Sequence, residues 1–253
     1  MQLGLVTYNI AKDWDIETII RKLEAARFSA VELRTTHKHG VEPSLSKEER
    51  EKVRERFTRS KVRLLSLGST CEFHSADPAV RQHNIDVCKQ FIELAHDLGC
   101  YGVKVRPNGF APGVPHETTI KNIGQSLRQC GEHGARYGVE VWLEVHGRET
   151  AHPPYIHAML KEANHPAVGA CWNSYPTDLV EGSVKQYFDL LRPYLKSCHI
   201  NELSNDKYPW RELFTLMRQT DYDRWTLCEV DESKEPDRFL GYYRALWTEL
   251  NRA

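Results

Sequence analysis

The runs VEVWLEVH (139–146), VGACWN (168–173), LKSCHIN (195–201) and RWTLCEVD (224–231) decide how this chain is read. Each is apolar, β-branched or aromatic until its last residues. There a side chain suited to metal binding or proton transfer stands: Glu144, Asn173, His199 and Glu229. One such residue at a strand end carries little information. Equivalent places in four consecutive repeats point to convergence on one spot, as the carboxyl ends of parallel strands in a closed barrel provide.

Working outward, earlier strands are expected near 3–8, 29–34, 62–68 and 101–106, and the later ones near 139–145, 168–172, 195–200 and 224–229. Amphipathic stretches lie between them, among them IETIIRKLEAARF, SKEEREKVRERF, NIDVCKQFIELAHDLG and VKQYFDLLRPYL. Eight strands and eight helices in strict alternation predict parallel pairing through helical crossovers. The expected fold class is α/β, a (β/α)8 TIM barrel forming one domain over 1–253, a length that suits that architecture. An open doubly wound sheet competes, but its Gly-rich turn is missing after the first strand. Ser46 with Glu49 predicts a capping box, Asp77-Pro78 a helix start, and Gly99 and Gly138 helix ends.

Lys plus Arg number 34 against 35 for Asp plus Glu, which argues against nucleic acid, an acidic polymer or an anionic membrane as partner. The opening LGLVTYNI reads as a strand without a basic leader, and no apolar run reaches the roughly 20 residues of a bilayer span. Seven cysteines show no CxxC pair and no secreted-framework spacing, so a reducing, cytoplasmic setting is expected. Cys171, Cys198 and Cys228, next to or near the strand-end polar residues, are expected to point outward towards the helices as small hydrophobes.

The loops after the strands carry His37, His39, Glu72, His74 and His116, for which solvent-exposed hydrogen bonding is the plainer role. Lys104 and Arg106 share a strand face and can bind a substrate phosphate, carboxylate or enediolate, or neutralise Glu32 or Glu72. The segments NELSNDKYPW and VDESKEPDR form no Gly-rich phosphate cup, which favours a non-phosphorylated sugar or polyol. Trp172 and Tyr175 flank Asn173 and suit either core packing or stacking on a sugar ring.

The strand-five LEVH, strand-six CWN, strand-seven CHINE and strand-eight CEVD, with TYNI and AVELR earlier, resemble the sugar phosphate isomerase/epimerase family of xylose-isomerase-like TIM barrels over the whole chain. The resemblance implies one divalent cation, often manganese, with zinc, magnesium or cobalt as alternatives, held by Glu144, Asn173, His199 and Glu229. Asn173 departs from the family's aspartate, and Pro176 stands where the family often has a histidine; Asp178 compensates only if its loop folds back. An asparagine carbonyl still ligates a hard cation.

By the same resemblance Glu144 and Glu229 flank the substrate as the catalytic acid/base pair, acting through an enediolate. His146, on the same side as Glu144, becomes a substrate hydrogen-bonding residue or a plain strand cap. Glu32 becomes an acidic residue near the pocket, with a salt bridge to Arg34 or Lys104 as its structural alternative. The implied partner is a small carbohydrate or polyol, and self-association through loop or helix faces stays open. The implied activity is isomerisation or epimerisation. A lyase acting on an inosose-like or keto-sugar substrate and a non-catalytic sugar-binding barrel are the alternatives.

Overall fold

A computed structural model describes residues 1–252. Strands β1 (Gln2–Val6), β2 (Ala30–Arg34), β3 (Arg63–Gly68), β4 (Gly102–Val105), β5 (Glu140–Glu144), β6 (Val168–Trp172), β7 (Leu195–Ile200) and β8 (Trp225–Cys228) follow one another around a closed, all-parallel barrel. Closure is made by β1 against β8, with Gln2 opposite Trp225 and Leu5 opposite Cys228. The expected TIM barrel is therefore the fold.

Outside the strands lie α1 (Ile16–Ala26), α2 (Lys47–Thr58), α3 (Pro78–Leu98), α4 (His116–Tyr137), α5 (Pro153–Ala163), α6 (Lys185–Leu191), α7 (Trp210–Gln219) and α8 (Pro236–Leu250). Their ends follow the local signals. Ser46 and Glu49 close a reciprocal capping box on α2, and the Asp77 side chain accepts from Ala79 N–H ahead of Pro78. Gly99 and Gly138 take left-handed φ values of 76° and 67° and end α3 and α4. The stretch VKQYFDLLRPYL is not one helix: α6 stops at Leu191, and Pro193, which has no N–H to donate, sits in a 3-10 turn over Arg192–Tyr194.

The main core lies between strands and helices, where Leu33, Val103, Leu143, Cys198 and Cys228 are buried. A smaller cluster fills the barrel interior: Val6, Ala30, Leu65, Trp142, Cys171 and Leu227. Cys171 thus corrects the expectation for the cysteines. It lies two residues before Asn173, so alternation puts it on the same, inward face, whereas Cys198 and Cys228 each adjoin an inward residue and face the helices. Space for the interior indole comes from Gly102, where a Cβ would overlap the Trp142 ring. Among the described residues no helix is long and apolar enough to cross a membrane.

Candidate active site

One step along several strands from the interior apolar cluster towards their carboxyl ends, the side chains become polar: Ala30 gives way to Glu32, Gly102 to Lys104, Trp142 to Glu144, Cys171 to Asn173 and Leu227 to Glu229. This two-residue step turns barrel geometry into a cluster of charges. His199 joins it from β7 with no exposed surface.

His199 Nδ1 lies 3.6 Å from Glu144 Oε1 and 3.4 Å from Glu229 Oε2, and has no hydrogen-bond partner despite its burial. Its Nε2 lies 3.3 Å from Glu32 Oε1. Glu32 is fully buried, accepts from Ser66 Oγ at 2.8 Å, and sits beside Gly68, where a Cβ would come within 2.9 Å of its Oε1. The expected alternative of a Glu32–Arg34 or Glu32–Lys104 bridge is not what forms: Lys104 Nζ donates to Glu144 Oε2 at 2.8 Å.

Glu144 is held at both oxygens, since Asn173 Nδ2 donates to its Oε1 at 2.9 Å. The Asn173 carbonyl oxygen accepts from the Ser174 N–H, also at 2.9 Å. Burial opposes charge on Glu144, but the Lys104 ammonium and His199 outweigh it and hold the carboxyl well below the usual carboxylate range. Burial likewise opposes a charged His199 ring, while Cys171, Glu229 and Glu32 together raise it well above the usual imidazole range. His146 moves the other way, lowered by burial.

Glu144, His199 and Glu229 offer ligand atoms all within 4.8 Å of one another and can hold a metal ion. The donor set fits: two carboxylates and one imidazole suit a divalent cation of intermediate or hard character, and the orphaned His199 Nδ1 faces the point between the carboxylates.

Above this cluster a cavity of about 360 Å³ opens, lined by Tyr8, Arg34, Lys104, Arg106, Glu144, His146, Tyr175, Asn201, Glu202, Glu229 and Asp231. Lys104, Arg106 and His146 line it, whereas Glu32 lies beneath His199 and does not. Arg106 is bound to Glu72, with Nη2 at 2.6 Å from Oε1. Asp178 does not fold back towards the metal ligands; its Oδ2 accepts from Tyr175 N–H and Tyr208 O–H, both at 2.9 Å, in a buried pocket. Trp172 is also buried, donating to Tyr208 at 3.1 Å, and leaves Tyr175 as the aromatic wall. His37 and His39 are taken up by Thr7 and by the Arg34 carbonyl. Tyr8, Asn201, Glu202 and Asp231 were not singled out from sequence, although the last three belong to CHINE and CEVD, whose final residues point to the same mouth. A second cavity, of about 440 Å³, opens at the opposite end of the barrel, where Glu140 is paired with Arg224 and Lys196. It holds none of the converging carboxylates.

Residues 20–245 match the xylose isomerase-like TIM barrel family, and the chain belongs to that family. No curated protein sequence matches it. Among solved structures it is similar to D-psicose 3-epimerase with D-tagatose from Clostridium cellulolyticum H10, with TM-score 0.85, 13% identity and 100% of both chains covered. It is also similar to the 3-keto-D-glucoside 4-epimerase YcjR from E. coli, with TM-score 0.81, 16% identity, and 99% of this chain and 98% of that one covered. The IOLI protein with a binding zinc atom gives TM-score 0.75 at 15% identity, covering 99% and 96%. At these identities the likeness is one of fold.

Proposed function

We propose that the protein is a divalent-metal-dependent sugar isomerase or epimerase that moves a proton between carbons of a ketose, keto-sugar or polyol derivative. The observation that carries this reading is the facing of Glu144 and Glu229 across the orphaned His199 Nδ1 at the floor of a polar cavity. Glu144, His199 and Glu229 would hold the cation, with Asn173 as the fourth ligand after its amide turns from Ser174. Manganese is the favoured ion, with zinc, magnesium and cobalt as alternatives. When bound, such an ion supplies Lewis-acid stabilisation of the negative charge that develops beside the deprotonated carbon.

The residues of the chain do the rest. Glu229, 13% exposed at the cavity wall, and Glu144, which faces it across the floor, are the pair that takes and returns the proton. Lys104 fixes the orientation of Glu144 through Oε2. Glu32 holds the His199 ring from behind, so that Nδ1 faces the carboxylates. His146 and Arg106 meet substrate hydroxyls from the strand-four and strand-five side. All seven cysteines are free and buried, which supports a reducing, cytoplasmic setting.

The test is solvent exchange. A panel of ketoses and keto-polyols is incubated in D2O with the manganese-loaded protein and followed by NMR. Deuterium should enter at one carbon next to the carbonyl, and Glu144→Gln and Glu229→Gln should each slow entry by at least about 10²-fold. Loss of water from the substrate would assign a lyase instead. Binding without exchange would leave a sugar-binding barrel.

A further inference from the structure

Three cations line the cavity, and two of them are committed: Lys104 to Glu144 and Arg106 to Glu72. Arg34 is not. Among the described residues no carboxylate pairs with its guanidinium, which lies over the Tyr8 ring at 5.1 Å from the centroid. Its backbone, by contrast, is fixed on both sides: the N–H donates to Thr7 Oγ1 at 2.9 Å, and the carbonyl accepts from His39 Nε2 at 2.8 Å. The arginine is therefore rooted at the last position of β2 and supported by an aromatic face, with its fork unoccupied.

Place in the barrel gives that fork a direction. In a closed ring of eight strands Glu144 on β5 stands three strands from β2, across the mouth from Arg34, while Glu229 at the end of β8 stands two strands away on the other side of β1. The same cavity that holds Glu144 and Glu229 is lined by Tyr8 and Arg34, and by Asn201, Glu202 and Asp231, whose oxygens can accept from hydroxyls of a bound molecule. Desolvating a lone guanidinium under a bound molecule is unfavourable unless the molecule brings an anion, and a planar fork matches a carboxylate at two oxygens. The site has no Gly-rich cup for a phosphate dianion.

We infer that Arg34 is a specificity-determining residue that binds the carboxylate of a polyhydroxylated acid. The substrate class becomes a keto-sugar acid of the uronate type rather than a neutral ketose. This rests on the isomerase or epimerase reading for the reacting end of the substrate. The anion contact itself is independent of the metal.

The experiment is isothermal titration of chelator-treated protein with D-fructose, D-fructuronate and D-fructose 6-phosphate, alongside a separate manganese titration. D-Fructuronate should bind at least about tenfold more tightly than D-fructose. Arg34→Gln should remove the preference, bringing D-fructuronate to the affinity that the same variant shows for D-fructose. Arg34→Lys should keep only part of the preference, because charge remains while the fork is lost. Circular dichroism and melting temperature of the variants confirm that the barrel is intact. Equal affinity for acid and neutral sugar overturns the inference, as does no binding of the acid, tighter binding of the phosphate ester, or an unchanged preference in Arg34→Gln. Failure of the manganese titration alone overturns the metal-dependent reading and leaves Arg34 standing.

Discussion

Asn173 is the residue on which the chemistry of this site turns. Its amide nitrogen donates to Glu144 and its oxygen accepts from Ser174, so an aspartate here would set a second carboxylate directly against Glu144 Oε1. Without a cation those like charges repel in a buried place; with one, both are drawn to it. Asn173→Asp should therefore lower the dissociation constant for manganese by at least about tenfold and lower the melting temperature of the metal-free protein. Calorimetric titration and thermal melts check the two halves separately, and unchanged affinity would take Asn173 out of the ligand set. The four strand-end residues were legible because each closes an apolar run at the same phase. The Lys104–Glu144 bond was not, because it joins neighbouring strands, and whether the ammonium of Lys104 meets Glu32 or Glu144 is decided by strand register and by the space that Gly68 leaves for Glu32.

At the scale of elements, the strands hold the site by filling the barrel beneath it. Trp142 of β5 is the largest side chain of that filling, and its Nε1 donates to Glu140 Oε2 at 2.8 Å; the Glu140 carboxylate is in turn held by Arg224 and Lys196. The ring fits because its β4 neighbour is Gly102, so Gly102→Ala should destabilise the protein by about 1–3 kcal/mol, as overpacking a close-packed interior does. Gly241, exposed in α8 with nothing near its would-be Cβ, is the contrast: Gly241→Ala should stabilise by about 0.5–1 kcal/mol. Urea unfolding of both variants measures the difference, and equal effects would mean that the indole has room to shift. Periodicity located strands and helices to within a few residues, since the helices carry an apolar face and α1, α2 and α3 carry side-chain N-caps as well. It could not show that α6 ends before Pro193, where the apolar pattern continues but the hydrogen bonding cannot. Nor did it place Cys171, for which counting from Asn173 rather than from the strand's general pattern gives the inward face.

Across the whole molecule, β1 pairs with β8, so the two ends of the chain close one ring, and we propose that residues 1–253 unfold as one cooperative unit. Within it, Asp178 is a buried acid away from the catalytic cluster. Burial raises its carboxyl well above the usual carboxylate range, against the opposing bonds from Tyr175 N–H and Tyr208 O–H. Both bonds fall on Oδ2, while Oδ1 has no partner. An acid whose folded-state value is raised keeps its proton longer in the folded chain than in the unfolded one. Its contribution is therefore most favourable below the unfolded value near pH 4 and is lost as pH rises towards the folded one. Asparagine preserves the accepting oxygen and cannot ionise. Asp178→Asn should accordingly be more stable than the parent by at least about 1 kcal/mol at pH 8, with the advantage shrinking to near zero at pH 4. Paired urea melts at the two pH values read this directly. A gain that is independent of pH would mean that Asp178 ionises in the folded barrel as it does in the unfolded chain.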